Sequence, residues 1–271
     1  MKKFVIYLLL SLLAFAAIFP LIYTLVHSFI GTVEYSRTSA NPFHLIPDWI
    51  TLSGYFDVFI SRPDYLVKFW ISMFLSVTIL AGQMAVAISG GYAFARFRFP
   101  GKNALFFATV LLMMLPYQVT LVPNYIVFDK FKLLDSYAAL ILPGIFSAFG
   151  VFLMRQVMRG IPGDIFEAAR IDGAGSWRAL WRVCLPNAKA GLAALVILNF
   201  ADSWNMMEQP LAFLKNHFKY PLSLFLVSVN GANPALGFVC GILSILPLML
   251  LFLFFKDEMI TGIEYVGGEL K

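Results

Sequence analysis

The residues of this chain with the most capacity for chemistry lie inside an apolar run. Asn199, Asp202, Ser203 and Met206 follow one another at i, i+3, i+4 and i+7, so on a helix they share one face, with Trp204, Asn205 and Glu208 close by. An ionisable group inside a segment suited to lipid is costly, and its presence there is by default a functional feature. Asp202 lies 14 residues beyond Ala188. That is roughly 21 Å along a helix, past the midplane of a bilayer. Carboxylates and amides beside an indole suit the hydroxyls of a sugar; the alternative is that Asp202 caps a gate or pairs with a second chain. Another polar group follows a proline in MLPYQVTLVP, where Pro116 precedes Tyr117 and Gln118. Proline removes a backbone hydrogen bond and kinks the helix. The freed carbonyl is tolerable only against protein or water. The stretch is therefore expected to line a cavity, the alternative being a structural kink with polar residues at its outer end.

Other chemistries find no support. Gly101-Lys102 is followed by Asn103 and lacks the upstream glycine of a phosphate-binding loop. His27, His44 and His217 are scattered without metal-ligand spacing, and no Ser/His/Asp grouping can be assembled. Two cysteines make no disulfide framework. Neither a catalytic residue nor a metal site is expected, and the chain reads as something other than an enzyme.

The elements that must carry these residues follow from composition. Of 271 residues 60% are apolar and 13% charged, with a mean hydropathy of +0.81. A soluble domain has about 25% charged residues, and a soluble body of this size cannot hide so much apolar surface. Six runs approach the ~20 residues a spanning helix needs: Phe4–Phe29, Phe69–Phe94, Leu105–Val122, Ala138–Met154, Ala188–Met207 and Leu236–Phe255. They are continuous rather than alternating, which argues against a β-barrel. The reading is an all-α integral membrane protein of six transmembrane helices, a single domain over residues 1–271. The first run also resembles a signal peptide, with Ala14-Phe15-Ala16 as a small-x-small site, but it outlasts an h-region and is expected to be retained. In the second run Ala81, Ala85, Ser89 and Ala93, widened by Gly82 and Gly90, are expected to seat a neighbouring helix.

Basic residues set the orientation. With the amino terminus inside, Lys2, Lys3, Arg96, Arg98, Lys102, Arg155, Arg159, Arg170, Arg178, Arg182, Lys189, Lys256 and Lys271 fall inside. Arg37, Arg62, Lys68, Lys130, Lys132, Lys215 and Lys219 fall outside, so thirteen of the 20 are inside. This bias places both termini in the cytoplasm. It also accounts for the net charge of +5 without nucleic acid. The outer loop from Gly31 to Lys68, with Pro42, Pro47 and Pro63, is too long for a bare turn and is expected to fold against the outer face.

The inner loop, residues 155–187, reads as two short amphipathic helices. Pro162 and Asp164 suit a start, Gly173 and Gly175 a hinge, and Ser176 an N-cap for the second; Trp177, Leu180, Trp181 and Cys184 make its apolar face, and Leu185-Pro186 is expected to end it. Glu167-Ala168-Ala169, three residues, Gly173, nine residues, then Val183-Cys184-Leu185-Pro186 resemble the EAA loop of the membrane subunits of binding-protein-dependent ABC importers. The flanking ARIDGA, the SWN of Ser203–Asn205, the MLP…VP of the third run and the ARFRFPGK turn are similar to the sugar-importer branch, the maltose-type second permease. The resemblance covers about 69–271. It implies the type I importer permease fold, a bacterial cytoplasmic-membrane location and a cytoplasmic coupling helix that docks in a cleft of a separate ATPase subunit. Glu167, Ala169, Asp172 and Gly173 match that helix, small Ala168 and Ala174 permit close approach, and Leu185 and Pro186 close the motif. It further implies a second permease, two ATPase subunits that bind ATP and Mg, an external solute-binding protein, and no cofactor in this chain. Two departures, Asn187–Gly191 after the Leu-Pro pair and MMEQPL at Met206–Leu211, bear on the cargo.

The rival readings are a proton-driven transporter using Asp202 and Glu208, an export or signalling assembly reusing the fold, and an importer of a non-sugar solute such as glycerol phosphate. A phosphate path calls for Arg or Lys within the spans, and none is well placed.

Overall fold

A computed structural model describes residues 2–38, 44–61 and 63–268. Pro42, Arg62 and Lys271, which enter the loop and charge arguments above, lie outside them. Among the described residues the chain is helical, with no strand. The helices are α1 Lys2–His27, α2 Thr32–Thr38, α3 Ser53–Phe56, α4 Asp64–Arg96, α5 Lys102–Met114, α6 Tyr117–Lys130, α7 Ala138–Ile145, α8 Ala148–Gly160, α9 Gly163–Ile171, α10 Ser176–Ala179, α11 Leu185–Asn187, α12 Lys189–Trp204, α13 Glu208–Phe213, α14 Leu222–Ala232 and α15 Pro234–Gly268. Four stretches are long and apolar enough to cross a membrane: Lys3–His27, Asp64–Arg96, Ala138–Gly160 and Pro234–Ile260. Six crossings result when each of two bent pairs, α5 with α6 and Ser176–Asn187 with Lys189–Phe213, counts as one.

The bends have local causes. Leu115, before Pro116, is held in the extended region at ψ 127°, as steric clash with the proline ring requires. The kink read from Pro116 is thereby a full break, with α5 and α6 at 99°. The second bend is 82° and falls at Ala188 (φ −104°, ψ 12°) rather than at Leu185-Pro186. A π-helical turn at Leu180–Cys184 precedes Pro186. Its wider ladder tolerates the missing proline N–H, and Asn187 Nδ2 donates to the Val183 carbonyl at 2.7 Å.

The chain forms two compact units. One comprises Met1–Ile71 with Tyr220–Pro247. Here the end of α1 is tied to the outer loop: buried His27 lies 3.1 Å from the His44 carbonyl, and Ser28 and Tyr55 share a 2.7 Å hydrogen bond. Glu34 of α2 accepts from the Asp48 N–H at 2.6 Å. The described residues of the outer loop, 31–38 and 44–61, are thus tied to the end of α1 and to one another.

The other unit comprises Ser72–Lys219 with Leu248–Lys271. Its core is close helix packing around α8. A side chain at Gly91 of α4 would meet Met154 Cβ at 2.6 Å, and one at Gly191 of α12 would meet Val157 at 2.5 Å. Gly82 and Gly90 likewise abut Ile145 and Val151. Without a hydrophobic drive in lipid, such close approach is what holds helices together. The expected seam is met in part: Gly82 and Gly90 seat neighbours, whereas Ala81, Ala85 and Ser89 are exposed, and the packed face runs on through Gln83, Ala87, Gly91 and Tyr92. A repeat of small residues at every fourth position cannot by itself say which side meets a neighbour.

Candidate functional site

Two places in the second unit gather the residues singled out above. The first is the inner loop. α9 starts after Pro162 and ends in a left-handed Gly173 (φ +78°). Ala174 N–H donates to the Ala169 carbonyl at 2.9 Å and Gly173 N–H to Arg170 at 3.0 Å, the paired bonds of a Schellman stop. Gly175, not Ser176, takes the N-cap position of α10. One face of this helix pair is core: Phe166, Ala179, Leu180, Cys184 and Leu185 pack with Met154, Met158 and Tyr92. Arg96, at the end of α4, donates through Nη2 to the carbonyls of Met158 and Ile161, each at 2.6 Å. Its guanidinium lies 3.9 Å from the centre of the Phe166 ring. The orphan carbonyls at the end of α8 are thus met by a fixed cation. Tyr92 OH adds a 3.2 Å bond to the Ser176 carbonyl.

The other face is open. Glu167, Ala168, Asp172, Gly173 and Pro186 are exposed, Ala169 and Ala174 half-buried. Ile171 is 87%, Trp177 69% and Trp181 53% exposed. The apolar face expected for the second helix therefore divides: Leu180 and Cys184 turn inward, while the two tryptophans, packed edge to face at 6.0 Å, turn outward.

The second place is a cavity of about 650 Å³. α6 contributes Tyr117 and Gln118; α12 and its bend into α13 contribute Asp202, Ser203, Asn205 and Glu208. Gln118 Nε2 donates to Glu208 at 2.8 Å, linking α6 to α13. These six sequence-derived candidates share one wall. Pro116, Asn199 and Trp204 do not line it. Pro116 makes the break that lets α6 turn there; Asn199 is 6% exposed and Trp204 3%, the latter stacked on Phe200 at 5.6 Å, both within the packed interior.

Sequence reading passed over Gln83 and Gln209, which also line the cavity. Gln83 is 7% exposed. Its Nε2 donates at 2.8 Å to the Gly144 carbonyl, freed where α7 stops. Its Oε1 has no partner. A lone glutamine inside an apolar span was the available signal.

His44, unremarkable in the sequence, meets Glu34 at 3.2 Å in the first unit, and the Asp48 carboxylate brings three possible ligand atoms within 4.8 Å of one another. The Glu34 oxygen is already engaged by His44 and the Asp48 amide, so hydrogen bonding accounts for this grouping.

Residues 83–258 match the family model of the binding-protein-dependent transport system inner membrane component. The chain is 32% identical over 263 residues to the arabinooligosaccharides transport system permease protein AraQ of Halalkalibacterium halodurans, covering 95% of this chain and 93% of that one. Over 140 residues it is 41% identical to the sn-glycerol-3-phosphate transport system permease protein UgpE of Yersinia pestis, covering 52% and 50%. A solved bacterial ABC transporter involved in the import of the acidic polysaccharide alginate superposes with a TM-score of 0.80 at 22% identity, over 94% of this chain and 95% of that one. These define a multi-pass permease with the type I ABC importer fold. The chain belongs to the binding-protein-dependent transport system inner membrane component family, and is a transport subunit of the cytoplasmic membrane.

Proposed function

We propose that this chain is one of two permease subunits of an ATP-driven importer of sugars or oligosaccharides. The observation that carries the reading is the inner loop: a helix pair bolted by Arg96 to the ends of α4 and α8, with Glu167, Ala168, Asp172 and Gly173 left open on its far side. Such a unit transmits a push as a rigid lever. A separate ATPase chain binds ATP and Mg, and the exposed carboxylates meet a basic cleft on it. This chain itself performs no catalysis. Both termini lie in the cytoplasm, and an external binding protein delivers the solute to the side from which the cavity of Asp202 and Glu208 is filled.

Closure of two ATPase subunits pulls the loop of each permease and rocks the bundle between inward- and outward-open states. Sugar cargo is supported by the AraQ relative, matched over nearly the whole length of both chains, whereas the glycerol-3-phosphate relative is matched over half. The test uses the assembled transporter. Glu167→Ala and Gly173→Val should each lower uptake of labelled arabinotriose or maltotriose at least about tenfold, a coupling loss of roughly 1.4 kcal/mol or more, while insertion and ATP hydrolysis persist. Wild-type uptake in both variants refutes docking through this loop.

A further inference from the structure

We infer that the cavity sorts cargo by charge: it accepts a neutral or amine-bearing saccharide and turns away an acidic one. The inference rests on the importer reading and deepens it. Among the described residues the lining contains two carboxylates, Asp202 and Glu208, both exposed, and no Lys, Arg or His. Four side chains of the wall donate to protein oxygens. Gln83 Nε2 gives to the Gly144 carbonyl at 2.8 Å, Gln118 Nε2 to Glu208 at 2.8 Å, Ser203 Oγ to the Asn199 carbonyl at 2.8 Å, and Asn205 Nδ2 to the Ala201 carbonyl at 2.9 Å. The charged groups of the lining, two carboxylates, are both acceptors. Gln83 is 7% exposed, with its amide nitrogen held by the Gly144 carbonyl, and adds no charge to the wall.

Sugar hydroxyls and ammonium groups are donors that meet this set. A uronate or phosphate brings only acceptors and a like charge. Specificity then comes from a repulsive element as well as an attractive one, with Asp202 and Glu208 as that element. The solved neighbour carries an acidic polysaccharide on the same fold, so charge preference belongs to the wall and not to the architecture.

The test reads the potential directly and needs no known cargo. In the assembled transporter Asn205→Cys places a thiol on the wall. Its modification rates by a trimethylammonium and by a sulfonate methanethiosulfonate are compared, each normalised to a free thiol, with the parental chain as background because Cys184 and Cys240 are buried. The cationic reagent should react about tenfold faster, as in a cleft lined by one sign of charge. The ratio should approach one when Asp202→Asn and Glu208→Gln are added, with partial falls in each single variant in case the double fails to assemble. Labelled transporter should lose uptake of arabinotriose and maltotriose. A flat ratio with uptake blocked overturns the charge inference alone. A steep ratio with uptake intact overturns the path reading, and this inference with it.

Discussion

Arg96 shows how much one side chain carries here. It supplies hydrogen bonds to two carbonyls at the end of α8 and lies over the Phe166 ring. Hydrogen bonds to a charged group are worth about 1.5–3 kcal/mol. Arg96→Met should therefore lower the melting temperature of the purified chain and raise amide exchange at 158–171, leaving the membrane helices protected; wild-type exchange there would mean that α9 is held by its apolar face alone. Glycines divide into two kinds. Gly173 is needed for its left-handed φ of +78° and has open space around it. A branched residue there costs about 1–2 kcal/mol of backbone strain with little loss of packing. Gly91 is needed for space, since a Cβ would meet Met154 at 2.6 Å and the Arg155 nitrogen at 2.9 Å. Gly91→Val should cost about 1–3 kcal/mol through overpacking and appear as lost thermal stability, whereas Gly173→Val should appear mainly in coupling.

At the scale of elements, breaks matter as much as helices. The 99° turn after α5 brings Tyr117 and Gln118 beside the α12–α13 bend. The connection beyond α6 is pinned by Asp135. It accepts from the amides of Asn216 and Lys215 at 3.1 Å each and pairs with Lys219 at 3.0 Å. The Asn216 amide first, and then Lys219, hold its carboxyl below the usual carboxylate range. A depressed carboxyl stabilises the folded connection fully above the unfolded value of about 3.9, and that contribution is lost as pH falls through the lower folded value. Exchange at the Lys215 and Asn216 amides should accordingly quicken, relative to intrinsic rates, only below about pH 4. Asp135→Asn should reproduce the quickening at neutral pH. Flat protection across that range, or an unaffected Asn variant, would show that the clamp is redundant.

For the whole molecule the decisive quantity is sidedness. The Lys and Arg distribution predicts a cytoplasmic α9–α10 loop. A cysteine introduced at Arg178, which is exposed, should resist an impermeant thiol reagent in intact cells and react once the cells are opened. Equal labelling in both conditions would place the loop outside and remove any route to a cytosolic ATPase. The chain should also co-purify with an ATPase subunit through this loop, and Glu167→Arg should weaken that capture severalfold, by reversing one charge at the proposed contact.

How far the residues spoke for themselves depends on the range of the forces involved. Membrane crossings, the Gly173 stop, the break at Pro116 and the two short inner helices follow from local rules: apolar length, proline sterics, left-handed glycine. The family was legible in the spacing from Glu167 to Pro186, since a motif confined to one short segment leaves its pattern in consecutive residues. What only the tertiary structure decided involves partners distant in sequence. Gln83 joins Asp202 at one cavity, 119 positions along the chain, because helix packing set by glycines turned that face inward. Of the small residues expected to seat a neighbour on α4, Gly82 and Gly90 do so and Ala81, Ala85 and Ser89 do not, for the same reason, as small residues occur on both sides. Trp177 and Trp181 share an apolar stripe with Leu180 and Cys184 in sequence, yet only the last two found a core to enter. Periodicity states that a face exists; the neighbour it meets is settled by the rest of the fold.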